Sequence, residues 1–282
     1  TKPVFEALFE NYSFVQNNPV SKALQGMIDL LEGQAMEKDT ITLTRFYESV
    51  KKRVSGIDNA EGRQKIMVEL YEKFFKTAFP LTVARLGIVY TPIEVVDFIN
   101  NSVADLLEKE FGRSLSDENV HVLDPFTGTG TFITRMIQSG LINRDALPRK
   151  YRQELHANEI VLLAYYIASV NIENAYHATV GEKTQYVPFN GICLTDTFQL
   201  GENADENALY TPALKQNSER VQAQQKAPIQ VIIGNPPYSV GQKSANDNAQ
   251  NQHYAKLEKR LAMTYVVGAS GTSKKSLYNS YI

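Results

Sequence analysis

Cysteine is nearly absent from this 282-residue chain. Cys193 stands alone and cannot close an internal disulfide, which excludes a disulfide scaffold and suits a reducing cytosol. No run of about 18 apolar residues occurs, so no membrane span is expected. No signal-peptide pattern follows the first residue, Thr1. Bulk positive charge is missing too. The formal net charge is -2, so a nucleic-acid role requires charge segregated along the chain. What is present is ordinary for a folded protein: 43% hydrophobic and 21% charged residues, which excludes a disordered or collagen-like chain. The length suits one large α/β domain or two small ones.

Charge is segregated. Residues 1–80 carry 11 Lys/Arg and 11 Asp/Glu, residues 81–212 carry 9 and 17, and residues 213–282 carry 9 and 3. The last quarter is therefore locally basic inside a slightly acidic chain, by itself equally a solvated lysine-bearing face.

Residues 1–80 read as helical. Apolar residues fall at helical spacing in four stripes: Val4 to Phe9, Ala23 to Leu31, Leu43 to Val50, and Met67 to Phe75, the last stopped before Pro80. This predicts a helical module over residues 1–85 and a second domain over residues 86–282. Pro92 then sits at a helix start with Thr91 as N-cap. Strands are expected at His121–Asp124, Glu154–Glu159, Gly191–Asp196 and Ile229–Gly234. A helix around Ile133–Met136 follows the first, and one from Ile160 to about Asn174 follows the second. That alternation implies a parallel, doubly wound α/β sheet. Residues 201–228 and 239–253 read as loops.

Four motifs carry chemistry. Asp124-Pro-Phe-Thr-Gly-Thr-Gly-Thr-Phe132 leaves a strand and enters a helix, with Gly128 and Gly130 allowing a tight turn and close ligand approach. A phosphate loop needs Gly-Lys-Ser/Thr, which is missing. A dinucleotide fingerprint needs a small residue where Phe132 stands. Asp124, ahead of the glycines, suits a cationic or amine-bearing ligand such as S-adenosylmethionine. Glu159, about 30 residues on, ends a strand where a carboxylate accepts both ribose hydroxyls of a nucleoside. Asp196, in Leu194-Thr-Asp-Thr-Phe198, can accept an adenine amine while Phe198 packs on the ring. Alternatively it caps the following turn. Cys193 reads as small core filler. No metal-ligand set is read from the sequence.

The most specific motif is Asn235-Pro236-Pro237-Tyr238 at the end of the fourth strand. Two prolines stiffen the turn and offer no backbone N–H to the nearby carbonyls. The Asn235 side-chain oxygen and the Pro236 carbonyl can then point at one planar amine, with Tyr238 as a stacking face. Two acceptors stabilise the positive charge that develops on an amine nitrogen during alkylation.

Together these motifs resemble motifs I to IV of the DNA adenine-N6 methyltransferases. Tyr90-Thr-Pro-Ile-Glu-Val-Val-Asp-Phe98 resembles motif X, placed as in the gamma arrangement. YEKFFKTAFP, ELHANEIVLLAYYIASVNIE and NPPYSVGQKSANDNAQN resemble the methyltransferase part of large single-polypeptide, helicase-coupled restriction–modification enzymes of the Type ISP kind. The resemblance implies a partial Rossmann-like methyltransferase sheet preceded by an α-helical coupler. The implied reaction is in-line methyl transfer from S-adenosylmethionine to a flipped adenine. Thr91, Pro92, Asp124, Gly128 and Gly130 would serve the methionine side of the cofactor, with Tyr90, Phe126 and Phe132 as further cofactor-binding residues. Glu159 would serve the ribose and Asp196 with Phe198 the adenine, with Ile160 and Thr197 as further cofactor-binding residues. Asn235, Pro236, Pro237 and Tyr238 would hold the target base.

Implied partners are duplex DNA, an upstream nuclease and ATPase, and a downstream recognition domain in a prokaryotic cytoplasm. Lys243, Lys256, Lys259, Arg260, Lys274 and Lys275 become candidate phosphate contacts, which can offset the cost of base extrusion. The implied sheet has seven strands, and the chain supplies four before Ser276–Ile282, which resembles the opening of motif V. The chain is therefore expected to be part of a longer polypeptide. Two alternatives stay open: methylation of a protein glutamine or of guanine N2 in ribosomal RNA, which share Asn-Pro-Pro-Tyr, and a non-catalytic coupling module.

Overall fold

A computed structural model describes Lys52 and residues 91–181, 185–202, 215–237 and 254–268. The four expected helical stripes of residues 1–80 lie outside the described residues, as do Tyr90, Tyr238, Lys243, Lys274, Lys275 and the expected loop 239–253.

The architecture is α/β. In chain order the elements are α1 (Ile93–Phe111), β1 (His121–Asp124), α2 (Thr131–Gln138), a short turn α3 (Leu147–Arg149) running into a π-helical turn (Lys150–Glu154), β2 (Leu155–Glu159), α4 (Leu162–Val180), β3 (Ile192–Leu194), a 3₁₀ turn (Gln199–Gly201), α5 (Lys215–Lys226), β4 (Ile229–Ile232), α6 (Ala255–Met263) and α7 (Tyr265–Gly268). The four strands form one parallel sheet in the order β3-β2-β1-β4. The order reverses at β1, so the crevice outside the carboxyl ends of β1 and β4 is the switch point where such sheets bind ligands.

The pattern of burial explains the strands. β2 lies between two neighbours and is buried at all five positions, so it reads as a continuous run rather than an alternation. Val122, Leu155, Ala157, Ile192 and Val231 carry the sheet into a core with Ile133, Met136, Ile137 and Tyr165. α2 packs against both α1 and α4. Arg135 of α2 also grips Asp97 of α1 with two bonds of 2.8 and 2.7 Å. Beneath β1, Lys150 is fully buried and donates to the carbonyls of Asp117 and Val120 at 3.0 and 2.6 Å and to Glu154 at 2.8 Å. These partners satisfy a charge that would otherwise be costly to bury.

The second, third and fourth strands are shorter than expected, at Leu155–Glu159, Ile192–Leu194 and Ile229–Ile232, and three other expectations change. Residues 201–228 are not one loop, because α5 occupies Lys215–Lys226. The helix KQNSERVQAQQK offers only Val221 and Ala223 as apolar residues, so it shows no stripe. Polar contacts hold it instead. Asn217 pairs with β3 like a further strand, accepting from the Leu194 N–H at 2.8 Å and donating to its carbonyl at 2.9 Å. Arg220 donates to the Tyr165 hydroxyl at 3.1 Å. Next, α4 runs to Val180, beyond the expected Asn174. Finally, Thr91 does not cap α1: Pro92 is the N-cap, with no side-chain capping bond. The Thr91 hydroxyl has another use.

Candidate functional site

The carboxyl ends of the four strands bring most of the singled-out residues to one edge. The turn after β1 is built by short bonds to β2. The Thr127 N–H donates to the Asn158 carbonyl at 2.9 Å, and the Thr127 hydroxyl donates to the Asp124 carbonyl at 2.9 Å. Gly128 and Gly130 have φ of +58° and +83°, a region L side chains rarely adopt. Gly130 is needed twice over. A Cβ there would stand 3.2 Å from the Ala168 backbone and from Ile172, so its absence lets α2 start against α4. Asn171 of α4 donates to the Thr129 carbonyl at 2.9 Å and fixes the turn from that side.

Two carboxylates face this turn. Asp124 is fully buried. Its Oδ1 accepts the Phe126 N–H at 3.1 Å, while its Oδ2 has no hydrogen-bond partner among the described residues. Burial pushes this carboxyl up to about 7, opposed by the Phe126 N–H and reinforced by the charge of Glu159. An orphaned buried oxygen of this kind calls for a donor. Glu159 accepts the Gly128 N–H at 2.8 Å through Oε2 and the Val161 N–H at 2.7 Å through Oε1. Burial raises it to about 7 as well, against the backbone N–H groups of Val161, Gly128 and Ile160. With about four acceptor sites, the carboxylate keeps capacity beyond these three N–H groups. Beside it Ile160 is 45% exposed and leaves an open apolar surface.

β3 supplies the next group. Thr197 donates to the Pro125 carbonyl at 2.7 Å and accepts from Asn158 at 3.2 Å, which ties the ends of β1, β2 and β3 together. Asp196 Oδ1 accepts the N–H groups of Phe198 and Gln199 at 3.0 and 3.3 Å, so it does cap the following turn. Its Oδ2 accepts the Tyr254 hydroxyl at 2.7 Å. The rings of Phe126, Phe198 and Tyr254 form a row, with centroid spacings of 5.1 and 5.3 Å.

β4 delivers Asn235. Gly234 precedes it, and a Cβ on Gly234 would stand 2.7 Å from Asp124 Oδ1. The end of β4 therefore lies directly on the β1 carboxylate. The Asn235 amide nitrogen donates to the Thr91 hydroxyl at 3.0 Å, which joins the segment before α1 to the Asn-Pro-Pro turn. Pro236 is exposed and Pro237 half-buried. Phe132 stands apart from this edge. It is 4% exposed in the core, and its carbonyl accepts from Asn100 at 3.1 Å. Lys256, Lys259 and Arg260 are exposed on α6. Among the described residues no cluster could hold a metal ion, and no helix is long and apolar enough to cross a membrane.

Sequence reasoning missed Asn158, Asn171, Gly234, Tyr254 and Glu202. Gly234 carried a signal, since it is a glycine between a buried strand and a functional turn. Tyr254 carried none, because nothing local marks a tyrosine in a polar stretch as buried.

Residues 1–62 match the coupler domain of Type ISP restriction-modification enzymes, and residues 62–266 match the N-6 DNA methylase family. No curated protein matches the chain. Among solved structures, a nuclease-deletion mutant of the Type ISP enzyme LlaGI in complex with a DNA substrate mimic is 49% identical with a TM-score of 0.83, over 99% of this chain and 23% of that one. The ATP-dependent Type ISP enzyme LlaBIII bound to DNA is 51% identical with a TM-score of 0.85, over 100% and 19%. A DrdV–DNA complex is 35% identical with a TM-score of 0.83, over 98% and 27%. The chain thus spans between 19% and 27% of the length of these relatives. With most of its length matched by one family model and a coupler match preceding it, the chain belongs to the N-6 DNA methylase family, in the form carried by Type ISP restriction-modification enzymes.

Proposed function

We propose that this chain is the cofactor-binding and base-binding part of an S-adenosylmethionine-dependent DNA adenine-N6 methyltransferase within a larger restriction–modification polypeptide. The helical coupler is assigned to residues 1–85 and the methyltransferase to residues 86–282. The observation that carries the reading is the contact between the ends of β1 and β4. Gly234, without a Cβ, sets Asn235 one residue from the Asp124 carboxylate. A cationic ligand at Asp124 and an amine at Asn235 are thereby brought side by side, as direct group transfer needs.

The residues present suit the cofactor. Bound at this edge, S-adenosylmethionine supplies an electrophilic methyl group on a sulfonium. Asp124 Oδ2, buried and without a partner among the described residues, is the acceptor for an ammonium group. Glu159 keeps acceptor capacity for the ribose hydroxyls, and Ile160, Asp196 and Phe198 border the place for adenine. Thr91 holds the amide nitrogen of Asn235, so the amide oxygen is the atom left to accept from a target amine. Asn235 Oδ1 and the Pro236 carbonyl draw the amine hydrogens and stabilise the charge that develops on nitrogen. Tyr238, next in the sequence, is assigned as the stacking residue for the extruded base. No side chain need take the proton before transfer.

Labelled cofactor tests the substrate. The expected result is label on adenine N6 of duplex DNA, with none on ribosomal RNA or on a glutamine-bearing protein substrate. Label confined to RNA or protein would refute the DNA assignment.

A further inference from the structure

Tyr254 lies outside every motif used above. It opens α6 and is 1% exposed. Its hydroxyl donates to Asp196 Oδ2 at 2.7 Å, and its ring sits 5.3 Å from that of Phe198. A carboxylate has about four acceptor sites. The N–H groups of Phe198 and Gln199 and the Tyr254 hydroxyl fill three of them on Asp196. Among the described residues one lone pair on Oδ2 remains, beside the tyrosine oxygen, which matches a single N–H of a planar amine.

The same segment is fastened a second time. Glu202, 8% exposed, accepts the N–H of Lys256 at 2.8 Å and of Leu257 at 2.6 Å, two donors that the start of a helix leaves open. Asp196, Phe198 and Glu202 all belong to the short segment after β3. α6 therefore rides on the wall assigned to the cofactor adenine, and its outer surface exposes Lys256, Lys259 and Arg260.

We infer that Tyr254 is a positioning residue of the cofactor site, holding Asp196 and Phe198 for the adenine and linking cofactor binding to the seating of the basic helix α6. This rests on the assignment of Asp196 and Phe198 to adenine. Without the hydroxyl, Asp196 loses the one anchor that Oδ2 has among the described residues, and the remaining lone pair loses its aim. Linkage is reciprocal: adenine that steadies Asp196 also steadies Tyr254 and α6, and whatever seats α6 strengthens cofactor binding.

The test uses the full-length enzyme, titrated by calorimetry with S-adenosylhomocysteine as wild type, Tyr254→Phe, Asp196→Asn and the double variant. Tyr254→Phe should bind about 10-fold more weakly, the effect of losing one hydrogen bond to a charged group. The double variant should bind no more weakly than Asp196→Asn alone, since the tyrosine acts through the carboxylate. Ligand should slow amide exchange across residues 255–263 in the wild type and not in Tyr254→Phe. Glu202→Gln is the second variant, for the case in which Tyr254→Phe does not fold. It touches no assigned cofactor contact, yet it should weaken binding by loosening α6. Wild-type affinity in the variant measured, or losses that multiply in the double variant, overturns the proposal. So does α6 exchange unmoved by ligand. A wild-type enzyme that binds no S-adenosylhomocysteine overturns the cofactor reading itself, a result distinct from the others.

Discussion

The amide nitrogen of Asn235 donates to the hydroxyl of Thr91 at 3.0 Å, across 144 residues of chain. A side-chain amide can turn over and exchange its oxygen for its nitrogen. With its nitrogen on the threonine hydroxyl, the amide leaves its oxygen for the target amine. Thr91→Val keeps the volume and removes the acceptor. Methylation turnover should fall about tenfold, with cofactor affinity changed less than about twofold, and Thr91→Ser should restore turnover. Single-turnover methylation and calorimetry separate the two quantities. A loss of affinity at unchanged turnover would move Thr91 to the cofactor.

Asn235 and Glu159 should separate base chemistry from cofactor binding. Asn235→Ala removes an acceptor that matters most in the transition state, so methylation should drop by at least about 10²-fold while cofactor affinity is largely kept. Glu159→Ala should do the reverse, weakening cofactor binding more than Asn235→Ala does. Equal losses of affinity in the two variants would contradict this division.

Gly234→Ala tests the contact between β4 and β1. The added methyl would stand 2.7 Å from Asp124 Oδ1, and the carboxylate is fully buried with little room to give. Overpacking of this kind costs about 1–3 kcal/mol. The melting temperature should fall and methylation should fall with it. An unchanged melting temperature together with wild-type methylation would show that the two strand ends need not touch.

How much of this was legible beforehand depends on whether a residue acts through its neighbours in sequence or in space. The strand at 121–124, the fourth strand (expected to 234, observed to 232) and the glycine turn could be read because apolar runs ended in Gly, Pro and Asp signals. The helix Lys215–Lys226 could not, because amide and guanidinium contacts hold it where a hydrophobic stripe would normally do so. At the site, Asp124, Glu159 and Asn235 announce themselves by position at strand ends. Their supports do not: the Thr91–Asn235 bond and the Tyr254–Asp196 bond span 144 and 58 residues, and local pattern carries no trace of either.

The exposed cations of α6 should report DNA contact through salt. Each phosphate contact contributes about −0.9 to the slope of log affinity against log salt. Replacing Lys256, Lys259 and Arg260 together by Gln should therefore flatten that slope by about 2 to 3 in the full-length enzyme, uniformly across DNA sequences. Filter binding at several salt concentrations measures it. A slope unchanged in the triple variant would leave these side chains as a solvated face.

Asp124 and Glu159 set a pH dependence whose sign runs against ordinary acid denaturation. Burial holds both carboxyls at about 7 in the folded chain, far above their unfolded range near 4. Between about pH 4 and 7 the folded state keeps protons that the unfolded state has released. These two groups therefore favour the fold at low pH and withdraw that support as pH rises, with no further loss above about 7. Ligand-free stability, measured by denaturant at pH 5, 6, 7 and 8, should carry this falling component. Asp124→Asn and Glu159→Gln should each flatten it. An ammonium group at Asp124 favours the ionised form, so cofactor affinity should rise over the same window and binding near pH 6 should release a proton. Calorimetry in buffers of different ionisation enthalpy counts that proton. Proton uptake on binding, or an affinity that falls as pH rises, would show that Asp124 does not meet a cation.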